Sequence, residues 1–474
     1  MKSQTIAVFF SALFCLSLVL AACGQDDGSG PGPGSDPVYT GAMNYKVRID
    51  PYEVGAAVGA IIVTLPEGDT VAVSDIAANK FRIQGVARRT VSDAFISDEK
   101  GNQLTSGSSR HFTVEMRVSV STTQDAGLFD QNQAAFTARN DNTGLGMWVT
   151  NLNSYELALA EGQSLVIKGA EYTSFNFASR TYNGRISPFT DGLKKGVNTV
   201  GGQSLAWAAY ETDAMKNDNK KNPLIIWLHG AGEGGTDVDI PLLGCKVTNI
   251  FQEKIQKYFI EQGGPQGAYV FVPQTPNGWM TGGWTQFLYD TIVKYVTENG
   301  DIDPKRIYIG GNSAGGYMTM YMLTSYPGYF AAGFPVCEAR GDSAVNDTEI
   351  QSIKDIPIWF THASNDTTVN PVSFTNPIFA RLIREGAQNV HYTYFNKVTG
   401  DDFPRASYYG HSSWIWTLQD RCVYSFSDAV KGQIKTAADL NAAKALVTVG
   451  NCNTKVQING KELTLWGWLA AQSR

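Results

Sequence analysis

The sequence predicts a three-layer α/β domain with a mostly parallel sheet, preceded by a small antiparallel β-sandwich, and three observations carry that prediction. From about Ser179 onward, short apolar strands alternate with helical patterns, the arrangement that builds a parallel sheet covered by helices on both faces. From about Val38 to Phe177 the segments are instead β-branched, often alternating, and separated by Gly, Asn and Asp. The chain is also long enough for both parts, since 474 residues suggest two or three domains at roughly 100–200 residues each. Hydrophobic residues at 43% and charged residues at 17% give an ordinary globular balance, which argues against wholesale disorder and fibrous repeats. Lys+Arg 38 against Asp+Glu 44 leave a net charge of −6. Without a basic stripe to offset it, nucleic acid is not an expected partner.

Lys2 precedes an apolar run over residues 6–19, too short and too N-terminal for an ordinary membrane span, which ends in Leu20-Ala21-Ala22-Cys23. This stretch resembles a bacterial lipoprotein signal. The resemblance implies that residues 1–22 are a signal peptide, that the Cys23 thiol carries a diacylglyceryl group, and that the protein is exported. It would then be held at the cell envelope by lipid, or secreted, with the membrane as a partner only through the anchor on Cys23. Residues 23–37 are rich in Gly, Pro and Ser and read as a flexible tether.

In the β region, residues 38–177, the stretches 46–49, 60–64, 112–120 and 164–167 read as strands, and a sandwich of immunoglobulin-like type fits them. No catalytic constellation stands out there. In the α/β region, residues 178–474, buried strands are expected at 224–228, 268–272, 307–309 and 356–360. A helix is expected at 286–298, with Phe287, Ile292, Val293 and Val296 on its buried face. Of the 6 cysteines, Cys245, Cys337, Cys422 and Cys452 remain once the signal and the anchor are set aside, and four cysteines permit three pairings. The stretch 426–455 looks inserted before the last helix. The expectation is that Cys422–Cys452 closes this excursion, for about 3–4 kcal/mol on a chain-entropy estimate, and that Cys245–Cys337 is the other pair. The 5 histidines are scattered and no Cys/His cluster has zinc spacing, so no metal is expected.

The chemistry is carried by Gly310-Gly311-Asn312-Ser313-Ala314-Gly315-Gly316, which lies between an expected strand and the helical stretch 317–323. Gly311 to Gly315 fit G-x-S-x-G, a turn that lifts a serine hydroxyl above the sheet at a helix N-terminus. Upstream, the strand 224–228 ends in His229-Gly230-Ala231-Gly232-Glu233-Gly234-Gly235. Glycines there let backbone N–H groups point at a substrate, so the oxyanion hole is assigned to the N–H of Ala314 with that of Ala231 or Gly232.

These two elements together resemble the α/β-hydrolase superfamily. The likeness is to secreted esterases with an HGxGE-type oxyanion loop, often grouped with prolyl-oligopeptidase-like and polyhydroxybutyrate-depolymerase-like enzymes. It covers roughly residues 180–425 and the last helix, 463–472, and some bacterial members carry an N-terminal immunoglobulin-like domain. The resemblance implies the chain order nucleophile, acid, histidine. His362 comes before the expected acid and His391 lies in an alternating strand, which leaves His411, in a loop beside Gly410, as the base. Asp366 directly follows the strand 356–360 and is the expected acid, with Asp401 and Asp402 as competitors in what reads as a solvated turn. Glu233 and His362 are expected to hold loops.

The implied activity is that of a serine esterase that needs no cofactor and works through an acyl-enzyme on water-accessible esters, such as acetyl or feruloyl groups of plant polysaccharide. Gln274, Trp279, Trp284 and Trp414 are candidates to line the substrate site. A serine peptidase and a non-catalytic surface-binding lipoprotein are the alternatives.

Overall fold

The structure is a computed structural model that describes residues 37–85, 89–121, 129, 133–138, 145–176, 180–217, 219–262, 266–433 and 452–474. The expected signal segment, Cys23, the expected tether up to residue 36 and most of the stretch 426–455, residues 434–451, lie outside the described residues. Among the described residues no helix is long and apolar enough to cross a membrane.

The first domain is built on a five-stranded sheet in the order Thr181–Ile186, Asn44–Tyr52, Gly55–Thr64, His111–Met116, Val91–Ser97. After an exposed Asn44, the strand Asn44–Tyr52 alternates buried and half-buried positions, as a strand with one face on a core requires. Smaller ladders such as Phe81–Gly85 with Tyr155–Leu159 close over the same core, in which Val47, Ile61, Val63, Phe112 and Leu157 are buried. Two expectations are corrected here. The third expected strand stops at Met116 and does not run on to residue 120. The domain does not end at residue 177 either, because Thr181–Ile186 pairs in parallel with Asn44–Tyr52 and the chain leaves the first sheet only after Ile186.

The second domain is an eight-stranded sheet in the order Lys194–Val200, Gln203–Tyr210, Tyr269–Gln274, Asn222–Leu228, Ile302–Asn312, Ala332–Val336, Ile358–Ala363, Val390–Phe395. The first two strands form a hairpin that joins Tyr269–Gln274 antiparallel, and every later pairing is parallel. The central strand Asn222–Leu228 is buried at all seven positions, the continuous apolar reading of a strand covered on both faces. Trp284–Glu298 and Ala314–Ser325 cover one face, and Glu253–Glu261 and Leu465–Ala470 the other. In Trp284–Glu298 the buried side chains are Trp284, Phe287, Leu288, Thr291, Ile292 and Tyr295. Val293 and Val296 are only half-buried, so the buried stripe is rotated from the expected one.

Both expected disulfides are absent, and Cys245, Cys337, Cys422 and Cys452 are free thiols. The C-terminal excursion is closed by a short ladder that pairs Tyr424 with Lys455 and Ser425 with Thr454. Continuing that register puts Cys422 and Cys452 opposite other residues. Cys422 Sγ lies 3.4 Å from Thr361 Oγ1, while Cys452 Sγ donates to the Tyr392 carbonyl at 3.2 Å. Cys245 Sγ instead accepts from Asn312 Nδ2 at 3.6 Å, and the Cys337 amide bonds Thr361 O at 2.8 Å.

Candidate active site

The strand Ile302–Asn312 runs straight into the helix Ala314–Ser325, and Ser313 makes the turn with φ 55° and ψ −115°. That left-handed backbone is costly for a residue with a side chain, and it persists because the surroundings fix it. The Ser313 amide bonds Val336 O at 2.9 Å. A Cβ on Gly311 would stand 2.3 Å from Leu228 O, and one on Gly315 only 2.0 Å from the same oxygen. These two positions therefore demand glycine, and the turn can approach the neighbouring strand closely.

The turn presents Ser313 Oγ 2.9 Å from His411 Nε2, and His411 Nδ1 lies 2.7 Å from Asp366 Oδ2. Asp366 also accepts the amides of Thr368 and Val369 on Oδ1, each at 2.9 Å. Burial alone would raise its carboxyl, but hydrogen bonds from His362 and His411 outweigh that and hold it well below the usual carboxylate range. An ionised Asp366 only accepts, so His411 Nδ1 carries the proton and Nε2 is free to accept the Ser313 hydroxyl. The three residues expected from the sequence are thus brought together. Gly410 makes the approach possible, since a Cβ there would stand 2.5 Å from the Asp366 amide nitrogen.

His362 shares the same carboxylate. Its Nε2 faces Asp366 Oδ2 at 3.0 Å and Val369 O at 2.9 Å, two acceptors, so Nε2 carries the proton. Burial keeps this imidazole neutral below its ordinary pKa, despite the pull of Asp366, and Nδ1 accepts from Thr375 Oγ1 at 2.8 Å. Beyond Thr375 lies Glu338, whose carboxyl is pushed up to about 8 by burial and whose Oε1 is 3.4 Å from Thr375 Oγ1. His391 is a strand residue against Trp359, with its Nε2 3.2 Å from Asn389 Oδ1.

The second glycine-rich element forms a single helical turn, Ala231–Glu233, after the strand Asn222–Leu228. Glu233 Oε2 accepts the Gly230 amide at 2.9 Å, and burial pushes the Glu233 carboxyl up to about 7 against that bond. His229 Nδ1 donates to Gly230 O at 2.7 Å and Nε2 accepts from the Thr275 amide at 3.2 Å. Burial pushes this imidazole down to about 4, so the tautomer is fixed and neutral. Ala231, Gly232 and Ser313 line one pocket, and Ala314 begins the helix next to Ser313.

The expected lining residues divide. Gln274 Nε2 donates to Glu233 O at 2.9 Å and Trp279 Nε1 donates to His229 O at 3.0 Å, so both are buried behind the glycine-rich turn and secure it. Trp284 packs at its helix start and bonds Asn277 Oδ1 at 3.0 Å. These three do not line the pocket, whereas Trp414 does, with its ring edge-on to His411 at 5.9 Å. The remaining wall comes from residues the sequence reading missed: Val54, Ala56, Phe129, Ala134 and Phe136 of the first domain. No local signal marks them, because the wall exists only once the domains pack. The pocket holds about 530 Å³.

Asp401 and Asp402, the competing acids, are turned away from His411, and Asp402 Oδ2 accepts the Glu53 amide at 2.8 Å. Among the described residues, one group has ligand atoms close enough for a metal ion: Cys337, Asp366 and His411, all within 4.8 Å. Its Asp366 and His411 are already bonded to each other, and burial pushes the Cys337 thiol well above its usual pKa, so it stays protonated.

Residues 44–163 match the family model of the esterase Ig-like N-terminal domain. Residues 288–339, which span the serine turn, match that of the prolyl oligopeptidase family. No curated protein matches the chain. Over 91% of its length the chain is similar to the whole, 100%, of a solved structure described as a thermostable esterase, with TM-score 0.60 and 19% identity. A ferulic acid esterase matches 43% of this chain over 90% of its own, with TM-score 0.33 and 12% identity. An acylaminoacyl peptidase of Pyrococcus horikoshii matches 52% of this chain over 42% of its own, with TM-score 0.33 and 15% identity. The chain is thus an α/β hydrolase by fold, and it carries an immunoglobulin-like domain of the kind that precedes esterases.

Proposed function

We propose that the chain is a serine ester hydrolase acting through an acyl-enzyme. The observation that carries this reading is the continuous line from Ser313 Oγ through His411 to Asp366, at 2.9 and 2.7 Å, on a strained turn at a helix N-terminus. Ser313 Oγ attacks an acyl carbonyl while His411 Nε2 takes its proton, and the oxyanion rests on the N–H of Ala314 and of Ala231 or Gly232. His411 then protonates the leaving alcohol, and water hydrolyses the acyl-enzyme by the same steps. No cofactor is required. Hydrolysis of a nitrophenyl ester that survives Ser313→Ala unchanged would contradict this, and a wild-type chain that hydrolyses no such ester would favour a non-catalytic surface-binding lipoprotein.

The substrate is a water-accessible ester such as an acetyl or feruloyl group on plant polysaccharide. The apolar wall of Val54, Ala56, Phe129, Phe136 and Trp414 suits a short or single-ring acyl group, and the pocket falls in the size range of small-molecule sites. Rates on methyl ferulate, acetylated xylan oligomers and short nitrophenyl esters should exceed those on emulsified long-chain triglyceride. A preference for the emulsion contradicts the substrate class.

The match of residues 288–339 to the prolyl oligopeptidase family favours one second reading, a serine peptidase, because the same residues attack amides. Faster turnover of peptide than ester substrates decides for it. The lipoprotein-like N-terminus supports attachment to the cell envelope through Cys23. Cys23→Ser should then move the protein from the membrane fraction to the soluble one.

A further inference from the structure

Glu53 lies in the turn between the first-domain strands Asn44–Tyr52 and Gly55–Thr64, yet almost all of its partners belong to the other domain. Its side chain is 1% exposed. Oε2 accepts the amides of Asp401 at 2.9 Å and Asp402 at 3.0 Å, and Oε1 accepts that of Phe403 at 3.4 Å. The Tyr408 hydroxyl and Gln419 Nε2 also donate to this carboxylate. The backbone of Glu53 takes part too, because its amide donates to Asp402 Oδ2 and its carbonyl accepts from Trp414 Nε1 at 3.3 Å. Gly400 has to be glycine here, since a Cβ would stand 2.2 Å from the carboxylate.

These partners lie on both sides of His411. Asp401, Asp402, Phe403 and Tyr408 precede it, and Trp414 and Gln419 follow it. The histidine segment has little regular structure of its own, a single turn at Gly410–Ser412 and a short helix at Trp414–Leu418. One carboxylate from the immunoglobulin-like domain therefore ties down both flanks of the loop that presents the imidazole. Its neighbours Val54 and Gly55 line the pocket beside Ser313.

We propose that Glu53 is a positioning residue for His411, so that the immunoglobulin-like domain completes the catalytic site of the second domain. This rests on the hydrolase reading of Ser313 and His411. Replacing the carboxylate leaves several buried donors without an acceptor, frees the loop, and lets the imidazole drift from Ser313 Oγ. A displacement on the order of 1 Å can cost about 10²-fold in rate.

The test uses the full chain and two readouts, fluorophosphonate labelling rate at Ser313 and steady-state hydrolysis of a nitrophenyl ester. Wild-type protein that neither labels nor hydrolyses defeats the underlying reading, not the role of Glu53. If wild type reacts, Glu53→Gln should lower both the labelling rate and kcat by about 10–100-fold, with KM within about twofold, in a chain that stays folded by near-UV circular dichroism. Glu53→Asp should recover part of the loss. Labelling and kcat of Glu53→Gln at the wild-type level overturn the proposal. So does a loss of kcat/KM carried by a rise in KM alone. Should Glu53→Gln not fold, Tyr408→Phe removes one donor and leaves the carboxylate. At least a threefold fall in labelling is then expected, and a wild-type rate overturns the proposal.

Discussion

Asp366 is the residue on which the proposed site turns, because two imidazoles share one of its carboxylate oxygens. Asp366→Asn offers His411 an amide in place of an acceptor-only carboxylate and favours the wrong tautomer, so kcat should fall by about 10³–10⁴ while the fold survives. Steady-state kinetics beside a melting curve checks this. Since the folded carboxyl lies below its unfolded value, the stability it contributes is present above about pH 4 and is lost as pH falls through the folded pKa. Glu338 has the opposite sign. Its folded pKa of about 8 exceeds the unfolded one, so its contribution is full below about pH 4.5 and disappears as pH rises to 8. Glu338→Gln mimics the protonated acid and should be more stable than wild type by a margin that grows from pH 5 to 8, read as urea midpoints. Equal midpoint differences across that range would contradict it. At this scale the sequence was most informative where spacing constrains geometry. Ser313 and His411 were legible from glycine-flanked motifs and chain order. Gln274, Trp279 and Trp284 were misread because a side chain type does not say which way it faces.

The serine turn was legible as an element because its glycines, the strand before it and the helix after it are all encoded locally. Gly315→Ala should test that constraint. Its Cβ meets the backbone of the neighbouring strand at 2.0 Å and cannot be relieved by a side-chain shift, so a loss of at least about 1–3 kcal/mol is expected in chemical denaturation. A variant as stable as wild type would show that the turn is looser than described. The C-terminal excursion was misread for the converse reason. Two cysteines flanking an insertion suggest a crosslink, but the ladder of Tyr424–Ser425 with Thr454–Lys455 already closes it, in a register that does not pair the thiols. Iodoacetamide added to unfolded, unreduced protein should therefore modify Cys245, Cys337, Cys422 and Cys452. Protection of any two until a reductant is added would restore a disulfide.

The whole molecule shows what a sequence pattern conceals, because the pocket is assembled from segments far apart in the chain. Both domains were legible from their strand and helix patterns, but Phe129 and Val54 come to line the pocket that holds Ser313 only through domain packing. Phe129→Ala should enlarge the proposed acyl pocket and lower kcat/KM for aryl-acyl esters by about tenfold, about 1.4 kcal/mol of lost apolar contact, with acetyl esters within about threefold. Parallel losses on both substrates would place Phe129 outside the acyl pocket. The expectations about activity depend on Ser313 being the nucleophile. Covalent labelling of the full chain with a fluorophosphonate, followed by peptide mapping, tests that directly. The expected result is a single adduct on Ser313, lost together with ester hydrolysis in Ser313→Ala. An adduct on another serine, with activity retained in Ser313→Ala, would contradict it.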